Sequence, residues 1–415
     1  MGGSARSMAL VTLLLVGCYR SHELGDAPVL RDAAPIDLGR RDAFVPSPSC
    51  EVLTVLDRDR SPWRSLACGP VTDSATVARG SAFDQIARES PDTCGRGPIL
   101  AARRVRGGGA LSVGEDQPIM DAHPSARGMA AAASGETLIV ASGVQWTAFT
   151  DSFEPSDEGE LAPRLDSVPG CVLRRDVTDL VARPTGWFAA FDFFECDVGG
   201  SQHRFYESDR LAPSSDVDTL WPGIGGAVAY ENGAFGVSRV RDGATTRLYW
   251  WQEPGVAPLE RTFGTNGSHV AVARWPDLTD GIVLAFLDDD GDGPVVRMVL
   301  LDPDGSVRQE RIVPLPDRAR FGAYGPVGIE LATTDFGVVA GIELGWLGGR
   351  IDSGYVVMGF DRAVRPTLGA LVELDSGSGR SELSLAGSGE EALVSVFTGT
   401  VEETTAESIL IGCSP

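Results

Sequence analysis

The sequence predicts an all-β fold, and three observations carry that reading. Gly (51) and Pro (26) are both abundant among the 415 residues, as a chain with many tight turns requires. Apolar runs of strand length recur along the chain, each bounded by turn residues. Asp302-Pro303-Asp304-Gly305 is a strong hairpin signal between two such runs.

Composition sets outer limits. An apolar content of 43% allows a real core. The formal charge of −23 excludes a nucleic-acid partner, because a phosphate-binding surface needs a basic field. It also excludes adsorption to anionic lipid through basic patches.

The chain opens with a short polar segment whose single basic residue is Arg6. An apolar run, Ala9–Val16, follows and leads into Leu15-Val16-Gly17-Cys18. The run is too short to span a bilayer, which takes about 20 apolar residues. Residues Leu15–Cys18 resemble the lipobox of bacterial lipoprotein precursors. The resemblance implies a signal peptide over 1–17, cleavage after Gly17 and a diacylglyceryl group on the Cys18 thiol. Two or three acyl chains, palmitate among them, would hold the protein stably where one would not. Tyr19 stands where an Asp would resemble an inner-membrane retention signal, which favours the outer membrane. The expected localisation is the cell envelope, with the membrane as partner only through the lipid.

Residues 18–49 are rich in Asp, Arg, Pro and Ala, as in Asp32-Ala33-Ala34-Pro35 and Pro46-Ser47-Pro48-Ser49. They bury too little apolar surface to offset chain entropy, so a disordered tether is expected. The folded body is expected over 50–415. Apart from Cys18, the chain carries Cys50, Cys68, Cys94, Cys171, Cys196 and Cys413. An even set in an exported chain suggests disulfides, and no spacing matches a zinc site. Sequence alone leaves the pairing open; the expected pairs are Cys50–Cys413, Cys68–Cys94 and Cys171–Cys196.

The body repeats. The clearest unit has strand-like runs at His269–Arg274, Ile282–Leu287, Pro294–Leu301 and Val307–Val313. A second unit spans Gly226–Phe263 and a third Gly328–Leu374. Thr178–Ala182 with Gly186–Phe194, and Met129–Ala133 with Glu136–Ser142, open earlier ones. The period is roughly 50 residues, in the range of propeller blades. The arrangement resembles a β-propeller of six or seven four-stranded blades, without the signature of a nameable family. The final unit, Glu382–Gly412, has only three strands, and Glu51–Leu56 is a spare one. Their pairing would close the ring and bring Cys50 to Cys413. Two stacked β-sandwich domains are the alternative. Residues 57–128 are the hardest to read: Phe83–Arg88 suggests a short helix, Ile99–Val105 with Ala110–Val113 a hairpin, and Gly107-Gly108-Gly109 its turn.

Asp288, Asp290 and Asp292 alternate before Gly293 and match the first half of a Ca²⁺ loop. Val299 stands where a helix–loop–helix site needs a bidentate Glu, so Ca²⁺ is the one cofactor the sequence suggests, on a β-hairpin loop. His22, His123, His203 and His269 are isolated, and no Gly-x-Ser-x-Gly elbow or phosphate loop occurs. Trp221, Trp250, Trp251, Trp275 and Trp346 fit packing between blades better than a sugar platform. The function expected is a monomeric, non-catalytic binding module presenting loops to a protein or glycan. The alternative is a secreted hydrolase or lyase working through carboxylates at the channel mouth.

Overall fold

The structure is a computed structural model. It describes residues 53–413 apart from connecting segments, of which 90–98, 162–173 and 317–323 are the longest. The chain divides into two units, Met1–Ser49 and Cys50–Pro415. The first lies outside the described residues, as do the signal peptide, the lipobox and the tether read from it.

The second unit is a seven-bladed β-propeller. Among the described residues seven antiparallel sheets follow one another; six run in sequence order from their inner edge outward, and the last takes its outer strand from the start of the unit. Their innermost strands are Val71–Arg79, Met129–Ser134, Arg174–Arg183, Gly223–Tyr230, Val270–Arg274, Tyr324–Thr334 and Arg380–Ser388, which define blades 1 to 7. Each adjoins the next, and the seventh adjoins the first, so the ring is closed around a channel. A single ring of this kind replaces the two-sandwich alternative, and closure leaves no long sheet edge exposed.

Closure occurs as the strand count predicts. Leu53–Pro62 is the outer strand of blade 7 and pairs antiparallel with Thr404–Cys413, from Leu53 opposite Cys413 to Pro62 opposite Thr405. The strand is longer than the apolar run Glu51–Leu56, because Arg58 and Arg60 point outward from it while the ladder continues. Cys413 is disulfide-bonded; Cys50 lies outside the described residues.

Blade 1 corrects one expectation. Phe83–Arg88 is not helical but belongs to the strand Ala82–Glu89, between Val71–Arg79 and Ile99–Arg106. Gly80, with φ of 61°, makes the turn into it. All eight residues of the strand are buried, so the polar–apolar alternation of a half-exposed strand is absent. Phe83, Ile86 and Ala87 then mimic a helical stripe. The hairpin after Ile99–Arg106 is present, with Val105 opposite Val113.

The blades adhere through apolar clusters. Ile139, Ala141 and Trp146 of blade 2 meet Leu180, Trp187 and Phe191 of blade 3. Val283, Met298 and Leu300 of blade 5 meet Val338, Ile342 and Phe360 of blade 6. Trp250, Trp251 and Trp275 are buried, and Trp250 stacks on Phe235 at 5.7 Å between ring centroids, so these three are packing residues. The side chains of Trp221 and Trp346 lie outside the description.

Candidate functional site

The innermost strands begin irregularly. Register shifts fall at Val71/Asp73 in blade 1, Val177/Asp179 in blade 3, Ile224/Ala227 in blade 4 and Pro326/Gly328 in blade 6. A bulge re-aims the side chain that follows it. In blades 1 and 3 that residue is an aspartate, in both cases after a threonine. Asp73 accepts the Ser74 N–H at 2.9 Å and the Met129 N–H of blade 2 at 2.6 Å. Asp179 accepts the Leu180 N–H at 2.8 Å. Glu330, on the inner strand of blade 6, accepts the Leu385 N–H of blade 7 at 3.0 Å. Asp73 and Glu330 therefore staple neighbouring blades at the axis.

A cavity of about 380 Å³ runs between these strands. Ser74, Thr178, Asp179 and Glu330 line it, with Leu180, Ile329 and Leu385 among its aliphatic walls. No histidine, cysteine, lysine or arginine is among the described lining residues. The hydroxyls of Ser74 and Thr178 are buried and find no hydrogen-bond partner among the described residues. Ser74 is 8% exposed.

The carboxylates feel one another. Burial pushes the Glu330 carboxyl well above the usual range, the Leu385 N–H pulls it back, and the charges of Asp179, Asp73 and Glu343 push it further up. Arg88 is 3% exposed; burial lowers its pKa while Asp73 and Asp176 raise it. That guanidinium balances the charges of Asp73 and Asp176.

A second cavity, of about 930 Å³, lies where blade 7 meets blade 1 and is lined by Leu56, Phe83, Gly107, Gly108, Gly109 and Glu391 among others. Here the triple glycine makes the hairpin turn expected of it. The Gly108 N–H donates to both Glu391 oxygens, at 3.0 and 2.9 Å, and the Gly109 N–H donates at 2.7 Å. A Cβ on Gly107 would lie 2.0 Å from Glu391 Oε2. The amide nest is thus filled by the chain's own carboxylate.

Of the sequence-predicted site residues, the structure describes Asp288 and Cys413. Cys18, Cys50, Cys68, Cys94, Cys171, Cys196, Asp290 and Asp292 lie outside the described residues. Asp288 is the penultimate residue of the second strand of blade 5, Ile282–Asp289, with its carboxylate 3.7 Å from Arg297 Nη1. No group of three His, Cys, Asp or Glu among the described residues is placed to hold a metal. The lining carboxylates Asp179 and Glu330, and Asp73 beside the lining residue Ser74, escaped sequence reasoning. The one signal for two of them was the repeated Thr-Asp pair, Thr72-Asp73 and Thr178-Asp179, at corresponding places in two blades.

No protein-family model and no curated protein matches the chain. Among solved structures, the chain is similar to Kuenenia stuttgartiensis hydrazine synthase at 10% identity, over 81% of this chain and 97% of that one, with a TM-score of 0.51. It is also similar to the WD40 domain of Neurospora crassa Pan2, at 9% identity over 88% and 97%, TM-score 0.44. A third similarity is to the six-bladed lectin of Aleuria aurantia, at 9% identity over 74% and 97%, TM-score 0.45. At such identities the likeness concerns fold alone.

Proposed function

We propose that this protein is an exported lipoprotein, moored in the envelope by lipid on Cys18, whose propeller is a non-catalytic binding module for a protein or glycan. One observation carries the non-catalytic part. Among the described residues, both carboxylates that line the cavity are engaged with a backbone amide, Asp179 with Leu180 and Glu330 with Leu385, and Asp73, beside the lining residue Ser74, bonds the Ser74 and Met129 amides. Hydrogen bonds of that kind hold the ring in shape. General acid–base work needs a group poised to exchange protons with a substrate, and the two carboxyls of the described lining, Asp179 and Glu330, each already accept a backbone hydrogen bond. The mooring rests on Leu15–Cys18 following an apolar run of signal length.

The enzyme reading retains one support, the convergence of Asp179 and Glu330 on a single cavity. Assay of the full chain against chromogenic glycosides and esters separates the two. No turnover is expected; turnover that disappears in Glu330→Gln or Asp179→Asn would establish the hydrolase instead. For the mooring, Cys18→Ser is expected to move the protein from the membrane fraction to the soluble one. An unchanged membrane fraction would defeat the lipid anchor.

A further inference from the structure

We propose that the slot between blades 4 and 5 receives an aromatic side chain of a protein partner, laid against Trp250 and Leu259. The proposal rests on the reading of the propeller as a binding module and names a partner chemistry for one of its surfaces.

The molecule itself shows what such a slot accepts. In blades 2, 5 and 6 the turn from the third strand to the fourth has one geometry. Its first residue donates its N–H to the fifth carbonyl: Thr150 to Glu154, Asp302 to Ser306 and Asp361 to Arg365, each at 2.9 Å. The fourth residue, Phe153, Gly305 or Val364, donates back to the first carbonyl at 3.1, 2.8 and 2.9 Å. All three of those residues are left-handed, with φ of 60°, 74° and 48°. Each turn also takes a hydrogen bond from the preceding blade: Arg79 to Thr150 O at 3.0 Å, Arg261 to Gly305 O at 2.6 Å and Gln309 to Ala363 O at 2.9 Å. The three turns are equivalent hooks onto three neighbours.

Glycine suits the left-handed position, whereas a β-branched or bulky residue is strained there. Phe153 and Val364 are the two non-glycine residues with positive φ among the described residues. Packing has to offset their strain, and both side chains enter the interface with the preceding blade. Val364 is buried in the cluster shared by blades 5 and 6. Phe153 packs on the cluster shared by blades 1 and 2, with the Arg79 and Arg104 guanidiniums of blade 1 each 5.4 Å from its ring centroid.

Blade 5 carries glycine at that position and supplies no side chain. A cavity of about 340 Å³ opens there, lined by Leu248, Trp250, Leu259, Arg261 and the turn at Gly305. A Cβ on Gly305 would lie 3.6 Å from Trp250 Cε3, in ordinary contact, so a group entering beside Gly305 meets the indole. Leu259 is 58% exposed and is one of two large apolar side chains so exposed among the described residues. Arg261 borders the cavity as Arg79 and Arg104 border Phe153, and a guanidinium favours an aromatic face. The net charge of −23 favours basic residues on either side of that ring.

Isothermal titration of the full chain in detergent with the acetylated, amidated tripeptide Lys-Phe-Lys tests the proposal, with Lys-Ala-Lys and methyl glycosides titrated alongside. Saturable binding of the Phe peptide is expected. It should weaken about tenfold in Leu259→Ser, which strips exposed apolar wall without touching the core. It should vanish in Gly305→Phe, which supplies the ring from the chain itself. Gly305→Phe should melt no lower than Gly305→Ala, because both strain the backbone alike and only the first fills the slot. A lower melting point for Gly305→Phe than for Gly305→Ala means that the slot does not hold a ring and overturns the proposal. Equal binding of the two peptides, or equal binding in the variants, is charge attraction and overturns it too. Saturable glycoside binding that Leu259→Ser weakens makes the slot a glycan site instead. Should the Phe peptide fail while the chain still shows no turnover, only this slot falls and the binding-module reading stands.

Discussion

Gln85 and Ser395, 310 residues apart, are joined by a 2.7 Å hydrogen bond from the Gln85 amide to the serine oxygen. The pair sits in a buried polar row where the last blade meets the first. The Gln85 amide also donates to Ser408 at 2.9 Å, and Arg103 Nε donates to the Gln85 carbonyl at 2.6 Å. Arg103 Nη1 donates to Ser61 at 2.7 Å, and Thr76 lies 2.7 Å from Ser384 and 2.8 Å from Ser395. Cross-strand neighbours Thr76, Gln85 and Arg103 of blade 1 thus face Ser384, Ser395 and Ser408 of blade 7. Apolar clusters flank the row on both sides.

This row fixes how the ring closes, because hydrogen bonds are directional where apolar packing is not. Burial pulls the Arg103 pKa down to about 10, so it stays charged, and it lies 4.6 Å from the Trp63 ring centroid. Arg103→Ala removes donors from Gln85 and Ser61 and uncovers Trp63. It should cost about 1–3 kcal/mol for each buried acceptor left unpaired, read as a lower urea midpoint. Arg103→Met, which refills the space over Trp63, should cost less. A midpoint unchanged in Arg103→Ala would remove the row from any role in closure.

The ring was legible where burial is one-sided and turns are tight. Asp302 and Gly305 form the hairpin that their residue types announce, with the Gly305 N–H donating to the Asp302 carbonyl at 2.8 Å. The odd strand count of the last unit pointed to the spare strand near residue 53. Blade 1 was illegible because its central strand hides Asp84, Gln85 and Arg88 inside. Their partners include residues some 300 positions away, and no local pattern marks such contacts. The channel was illegible for the same reason: bulges that re-aim Asp73 and Asp179 leave no periodic trace.

The terminal disulfide is open to direct mapping. Leu53 stands opposite Cys413 in the ladder, and Cys50 precedes Leu53 by three positions in the sequence. Peptide mapping without reduction should find Cys50 joined to Cys413. Reduction should then lower stability by up to about 5 kcal/mol, the chain-entropy value for a loop of this length. Recovery of Cys413 joined to any other cysteine would contradict the pairing.

The Asp288–Asp292 turn gives a calcium prediction. Arg297 leans toward Asp288 at 3.7 Å and also bonds Gly264 O at 2.8 Å, so a bound Ca²⁺ has to draw Asp288 away from it. If the turn holds Ca²⁺ through Asp288, Asp290 and Asp292, millimolar Ca²⁺ should raise the melting temperature and a chelator should reverse the rise. Asp290→Asn should abolish the response. A melting temperature indifferent to both additions would mean that the turn is a solvated acidic hairpin.

Glu330 gives a pH prediction whose sign follows from linkage. Burial raises its pKa in the folded chain, and the Asp179, Asp73 and Glu343 charges add to the rise. The folded protein therefore holds a proton that the unfolded chain releases above about pH 4.3. Stability from this group is fully present below that pH and is lost as the pH rises toward the folded value. Glu330→Gln keeps an acceptor for the Leu385 N–H and carries no charge. The variant should match the wild type near pH 4 and melt higher at pH 8, by about 2 °C for each 1 kcal/mol relieved. Other carboxylates titrate in both proteins, so the difference between the two curves isolates this one. A difference that stays flat from pH 4 to pH 8, or that favours the wild type at pH 8, would show that Glu330 is ionised and paired in the native ring.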